Sequence, residues 1–332
     1  MIITRTPFRI SFFGGGTDYP VWYEENGGAV LSTTINKYCY ISCRYLPPFF
    51  DYKYRIRYSH REETKVVNEI KHPSVRECLK LLKIEKGIEM VHTSDIPAMS
   101  GIGSSSAFTV GFLQALYALK GKIVTKRHLA REAISMEQDV LKENVGSQDQ
   151  IAAAFGGFNK VEFGGNRGFY VTPMTIGTEK MDLLQDHLML FFTGYSRTAS
   201  DVAAEQIRKT ASKGDELRAM GEMVDEAINV LNRDRGNITD FGKFLHESWM
   251  YKRGLTKLIS TNKIDEMYEV GRSAGAIGGK LLGAGGGGFL LFFAKPEDQQ
   301  KIKEKLKGLL HVPFRFEPLG SQIIMYATQD FY

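Results

Sequence analysis

The sequence predicts an α+β protein built as two domains with a cleft between them, and three observations point there. The first third carries extended, β-favouring runs. The second half is dominated by long, charged segments with helical periodicity. At 332 residues the chain is long enough to bury two cores. The weakly patterned stretch from Pro173 to Asp186 sets the boundary near residue 180, giving expected domains over 1–180 and 181–332.

Taken in order, residues 29–45 read as a strand, because Ile35, Cys39 and Ile41 sit among β-favouring neighbours, and Arg55 to Ser59 makes a second, short one. Pro47-Pro48 and His72-Pro73 punctuate this region. Ser74 to Leu82 is helical, with Val75, Leu79 and Leu82 at three- and four-residue spacing. Phe108, Phe112, Leu116 and Leu119 mark one face of an amphipathic helix that opens at Ser104 to Ser106. A strong helix spans 126–143, and after a loop the segment Asp149 to Phe155 is closed by Gly156-Gly157. The apolar run His187 to Phe192 is a strand, followed by long charged helices over 200–232, 239–260 and 263–275.

Composition excludes several classes. Hydrophobic residues at 43% and charged residues at 24% are those of a folded globular chain. The longest apolar stretch, Phe108 to Leu119, contains Gln114 and falls short of the roughly 18 residues a membrane span requires. The first residues lack the pattern of a secretory signal, so the cytoplasm is the expected location. A net charge of +5 spread along the chain does not track a nucleic-acid backbone; acidic small molecules fit better. Arg55, Arg57, His60 and Arg61 cluster, but Glu62 and Glu63 follow at once, which makes a solvated surface. Cys39 and Cys43 face one side of their strand without a nearby histidine to complete a metal site; with Cys78 they read as reduced core thiols. A homodimer is compatible with the sequence.

Three glycine-rich segments carry the chemistry. In Pro97-Ala-Met-Ser-Gly-Ile-Gly-Ser-Ser-Ser-Ala107, Gly101 and Gly103 let backbone approach an anion, and Ser104, Ser105 and Ser106 lie where a helix leaves N–H groups unpaired. That is a phosphate cradle, or an ordinary serine cap. In Arg9-Ile-Ser-Phe-Phe-Gly-Gly-Gly-Thr-Asp18, an apolar strand runs into three glycines; Asp18 can accept two sugar hydroxyls and Arg9 can neutralise phosphate charge. The alternative is a glycine hairpin whose Asp18 caps the next turn. In Lys280-Leu-Leu-Gly-Ala-Gly-Gly-Gly-Gly288, the spacing of Gly283, Gly285 and Gly288 matches a dinucleotide fingerprint, but a strand follows the glycines where a helix is required. Four adjacent glycines instead mark close passage of another backbone or a ligand. Between these segments lie Glu137 on a helix and Asp149 twelve residues on. Phosphoryl transfer to an alcohol needs one carboxylate near a metal and another near the accepting oxygen.

In order and spacing, the three segments resemble the motifs of the GHMP small-molecule kinases, and the resemblance spans almost the whole chain. It implies a fold in which an N-terminal α+β domain with a left-handed βαβ crossover joins a ferredoxin-like C-terminal domain. It implies ATP and Mg²⁺ as cofactors, with Pro97, Ser100, Gly101, Ile102, Gly103, Ser104, Ser105 and Ser106 around the nucleotide. Ser105 and Glu137 would ligate the metal, Asp149 would be the base, and Arg9 would steady developing charge. Asp18 would grip the sugar, with Gly15, Gly16, Thr17, Gly285 and Gly286 beside it.

Within the family the wording is most similar to the members that phosphorylate the anomeric hydroxyl of heptose 7-phosphate on the route to a GDP-heptose for surface polysaccharide. Gly15-Gly16 stands where galactokinases carry Glu-His. A phosphorylated sugar substrate needs a second anion site, expected at Ser196, Arg197 and Ser200 ahead of the helix near residue 200; the alternative there is a plain helix cap. A free-hexose 1-kinase and a sugar sensor without catalysis are the competing functions.

Overall fold

The computed structural model describes residues 1–165, 168–194, 199–233 and 237–327. The chain starts with β1 (Ile2–Phe13), a short helix α1 (Pro20–Asn26) and the 18-residue strand β2 (Gly28–Tyr45). Then come β3 (Tyr54–Arg57), β4 (Arg61–Thr64), α2 (Pro73–Leu81) and β5 (Ile88–Ser94). Three helices follow, α3 (Ser104–Leu119), α4 (Lys126–Ser135) and α5 (Gln148–Phe155), and then β6 (Phe158–Gly164) and β7 (Gly168–Pro173).

β2 is long enough to serve two neighbours along one edge. Its first half pairs with β6, from Gly28 opposite Phe163 to Thr33 opposite Phe158, and its second half with β5, from Cys39 opposite Ser94 to Tyr45 opposite Ile88. Its other edge carries β1 throughout, with Arg9 opposite Thr34. β3 runs parallel to β5, so the connection through β4 and α2 is a crossover. α3 lies on β1 and β2, with α4 and α5 beside it.

The second part of the chain runs α6 (Thr178–Asp186), β8 (Leu188–Phe192), α7 (Ala199–Lys209), α8 (Gly214–Asn232), α9 (Thr239–Leu255), α10 (Asn262–Ser273), β9 (Gly278–Leu281), β10 (Phe289–Phe293), α11 (Gln299–Lys305) and β11 (Leu310–His311). Its sheet is antiparallel in the order β11-β8-β10-β9. The last strand, β12 (Gln322–Tyr326), returns to the first sheet and pairs with β1, so these five residues of the 181–332 stretch belong to the N-terminal sheet. The two parts meet at Phe12 and Phe13, whose rings pack edge-on against Phe241 of α9 at 5.5 and 5.1 Å.

Several sequence expectations are corrected by packing. α3 is buried on almost every side, from Ser106 to Phe112 without a break, because sheet lies beneath it and helices flank it; it is no amphipathic surface helix. The helix expected over 126–143 ends its α-helical part at Ser135 and continues as a π-helical turn, Met136–Val140, closed by Leu141 N–H on the Met136 carbonyl at 2.9 Å. The 200–232 helix is two, broken by a 3₁₀ turn at Thr210–Ser212. α1 and α6 carry too little periodicity to be seen in the sequence. Cys39, Cys43 and Cys78 are free and buried, as expected. Among the described residues no helix is long and apolar enough to cross a membrane.

Candidate active site

The end of β1, the turn after it, the start of α3, the start of α5 and the loop after β9 converge on one cleft. Arg9, only 4% exposed, spans it from β1. Its Nε donates to Asp149 Oδ1 at 2.7 Å and its Nη2 to Asp149 Oδ2 at 2.9 Å, while Nη1 donates to the Gly101 carbonyl at 2.8 Å. A bidentate guanidinium pair fixes a carboxylate in direction as well as in distance. Asp149, in the first turn of α5, therefore presents its remaining lone pairs to the cleft in a set orientation.

Asp18 lies in the same cleft, against the backbone of Gly146 and Gln148 that leads into Asp149. Its Oδ1 accepts the Gly16 N–H at 2.9 Å and its Oδ2 the Gln148 N–H at 3.4 Å. Asp18 does not cap the turn that follows it, since α1 has no side-chain cap; its carboxyl reaches back to Gly16 and lines the cleft. Burial pushes its pKa up, partly offset by the Gly16 hydrogen bond and reinforced by the charge on Asp149. The backbone is pressed against it: a Cβ at Gly146 would lie 1.9 Å from Asp18 Oδ2. Gly15 and Gly16 line the cleft, whereas Thr17 turns away and donates to the carbonyls of Gly14 and Ala29 at 2.8 and 2.9 Å, holding the turn.

The serine loop meets the cleft through Gly101, Gly103, Ser104, Ser105 and Ser106. Ser104 Oγ accepts the Met99 N–H at 3.2 Å, and the Ile102 carbonyl accepts the Arg9 N–H at 3.1 Å. Ser100 is buried with a hydroxyl that has no partner among the described residues. Glu137, brought inward on the π-helical turn and fully buried, accepts from Ser106 Oγ at 2.8 Å and from Gln150 Nε2 at 2.5 Å on the same oxygen. Its Oε1 has no hydrogen-bond partner among the described residues. Burial raises its pKa to about 7, against the opposing influence of the nearby Thr109, Ser106 and Gln150 side chains. A buried carboxylate oxygen left unpaired beside a hydroxyl suits a divalent cation. The hydroxyl on Glu137 is that of Ser106; Ser105 is exposed at the cleft.

The third glycine segment is chiefly packing. A Cβ at Gly283 would lie 2.4 Å from Gly101 Cα, so the two glycine loops cross backbone to backbone. Gly283 and Ala284 line the cleft, while Gly285 packs on Ile259 and Gly286 N–H donates to the Ile259 carbonyl at 2.9 Å. Ser196 and Arg197 lie outside the described residues. Ser200 accepts from Asn144 Nδ2 at 3.4 Å, and Asn144 lines the cleft.

Residues that the sequence did not single out complete the site. Lys252 of α9 and Lys280 of β9 are buried in the cleft wall with Ser11, Gln148 and Gln206. A second cavity of about 680 Å³ shares Met99, Ser104 and Ser105 with the cleft and is lined by Tyr58, His72, His92, Pro97 and Phe108. His72 stacks on Phe108 at 4.8 Å, and His92 meets it edge-on at 5.1 Å.

Residues 68–157 match the N-terminal domain of the GHMP kinases and residues 217–311 their C-terminal domain. The chain is 29% identical over 325 residues to a D-glycero-alpha-D-manno-heptose 7-phosphate kinase of Campylobacter jejuni, covering 92% of this chain and 93% of that one. It is 24% identical to an L-fucokinase/L-fucose-1-P guanylyltransferase of Bacteroides fragilis over 91% of this chain but only 35% of that bifunctional protein. The crystal structure of a D-glycero-D-manno-heptose 1-phosphate kinase from Bacteroides thetaiotaomicron superposes with a TM-score of 0.80 at 22% identity, covering 99% of this chain and all of that one. With the two domain matches together spanning more than half of the chain, including the serine loop, Asp149 and the loop after β9, the chain belongs to the GHMP kinases.

Proposed function

We propose that this kinase transfers the γ-phosphoryl group of ATP to the anomeric hydroxyl of D-glycero-D-manno-heptose 7-phosphate, giving the 1,7-bisphosphate for GDP-heptose and surface polysaccharide synthesis. The observation that carries the reading is the placement of two carboxylates with separate duties in one cleft. Asp149 is aimed by Arg9, and Asp18 is held beside it by backbone N–H groups. The Campylobacter jejuni relative, matched over nearly the full length of both chains, supports the choice of acceptor.

The nucleotide base fits the aromatic and histidine-lined cavity beyond Ser104 and Ser105, which leaves the phosphates over Gly101 to Ser106. Glu137 with the Ser105 and Ser106 hydroxyls would hold Mg²⁺, which supplies neutralisation of phosphate charge when bound. Asp18 accepts hydrogen bonds from sugar hydroxyls. Asp149 takes the proton of the anomeric hydroxyl as its oxygen meets phosphorus; alignment does most of the work in such a transfer. Ser200 at the cleft rim, with Ser196 and Arg197, remains the proposed seat of the 7-phosphate.

The fucokinase match over 91% of this chain favours, as a second reading, a 1-kinase of a free sugar. ADP release with Mg²⁺-ATP, measured against six- and seven-carbon sugars offered free and terminally phosphorylated, separates the two. Turnover confined to heptose 7-phosphate supports the proposal, turnover of a free hexose moves the acceptor, and silence with every sugar leaves a sensor.

A further inference from the structure

We propose that Lys252 is a catalytic residue that meets the charge of the phosphoryl group in flight, a duty Arg9 is not free to perform. The three polar nitrogens of Arg9 are all engaged, two by Asp149 and one by the Gly101 carbonyl, so its positive charge is balanced where it stands. Phosphoryl transfer nevertheless needs an uncompensated cation. As the acceptor oxygen bonds to phosphorus and the bond from phosphorus to the bridging oxygen breaks, the hydroxyl proton passes to Asp149. Negative charge remains on the phosphoryl oxygens and on departing ADP.

Two further cations stand in the cleft wall, Lys252 at 6% exposure and Lys280 at 1%. Neither forms an ion pair among the described residues. Lys280 Nζ donates to the Phe12 carbonyl at 2.7 Å, tying β9 to the end of β1; it is a positioning residue. Lys252 Nζ donates to the carbonyls of Gly283 and, at 3.4 Å, Leu281, which leaves it a donor to spare. An ammonium buried against carbonyls alone is costly, and an arriving anion relieves that cost. The groups that act on it are Arg9 from β1, Asp18 from the turn beyond, Asp149 from α5 and Lys280 from β9. Burial first, and Arg9 second, bring its pKa down to about 8, against the pull of Asp18 and Asp149.

The inference rests on the kinase chemistry and not on the identity of the sugar, so it is tested with heptose 7-phosphate or, if that acceptor fails, with whichever sugar turns over. Lys252→Met is expected to lower kcat by about 10²–10³-fold with KM for ATP changed only a few-fold. The wild-type kcat/KM should fall as pH rises through about 8, because the ammonium is lost. Lys252→Arg should retain part of kcat and lose that alkaline limb. If Lys252→Met fails to fold, the two pH profiles decide alone. A Lys252→Met enzyme with near-normal kcat, or an alkaline limb unchanged in Lys252→Arg, overturns the proposal.

Discussion

Arg9 grips Asp149 through two hydrogen bonds, of 2.7 and 2.9 Å, across 140 positions of sequence. The pair joins β1, which lies between β12 and β2 in the N-terminal sheet, to the first turn of α5. It converts a side chain with free torsions into an acceptor with one direction.

Asp149→Asn removes the proton acceptor and turns an amide donor toward the guanidinium. A positioned base contributes about 10²–10⁴-fold, so kcat should fall by that amount or more while ATP still binds. Steady-state kinetics with equilibrium ATP binding check it; near-normal kcat would remove Asp149 from the chemistry.

Arg9→Lys keeps the charge and loses the fork. A lysine can reach one oxygen of Asp149 but cannot fix the plane of the carboxylate. The expected result is a fall in kcat of about 10-fold or more with KM for ATP little changed, since misplaced reacting groups cost rate before they cost binding.

Gly146→Ala would bring a Cβ to 1.9 Å from Asp18 Oδ2, and the neighbour that must yield is the carboxylate proposed to grip the sugar. KM for the acceptor should rise at least about 10-fold while KM for ATP stays close to wild type, which initial rates at varied acceptor and varied ATP will show.

Ser106→Ala strips Glu137 of a 2.8 Å hydrogen bond, whereas Ser105→Ala touches only an exposed hydroxyl. Loss of a bond to a buried group costs about 1–3 kcal/mol. Thermal denaturation should therefore register Ser106→Ala and leave Ser105→Ala near wild type. The Mg²⁺ concentration needed for half-maximal rate should rise in Ser106→Ala as well.

Much of the cleft was legible in the sequence because phosphate and sugar recognition leave local marks. Gly101 and Gly103 stand just before Ser104 to Ser106 at a helix start, and Gly14 to Gly16 just before Asp18, so each mark is complete within a short stretch. What was not legible depends on side-chain direction or on distant partners. Ser105 and Ser106 differ by one step around a helix, and only the position of Glu137 selects between them. That position depends on a π-helical turn, which the pattern of 126–143 does not distinguish from continuing α-helix. Lys252 and Lys280 read as ordinary lysines until α9 and β9 are folded against β1. Lys280, set in an apolar strand, was the one with a visible signal. The second cavity draws Tyr58, His72 and His92 from three separate places, and nothing in any one of them announces the others. The buried α3 misled periodicity for the opposite reason: a helix covered on all sides still shows a stripe when only its largest residues are counted.

The central claim is that Asp149 activates the anomeric hydroxyl of an already phosphorylated heptose. Phosphorus NMR of the product formed from heptose 7-phosphate and Mg²⁺-ATP tests it most directly. The account predicts a second phosphorus resonance coupled to the anomeric proton, with the original 7-phosphate signal retained, and none of it with Asp149→Asn. A new phosphate coupled to any other ring proton, or an unchanged spectrum with the wild-type enzyme, would contradict it.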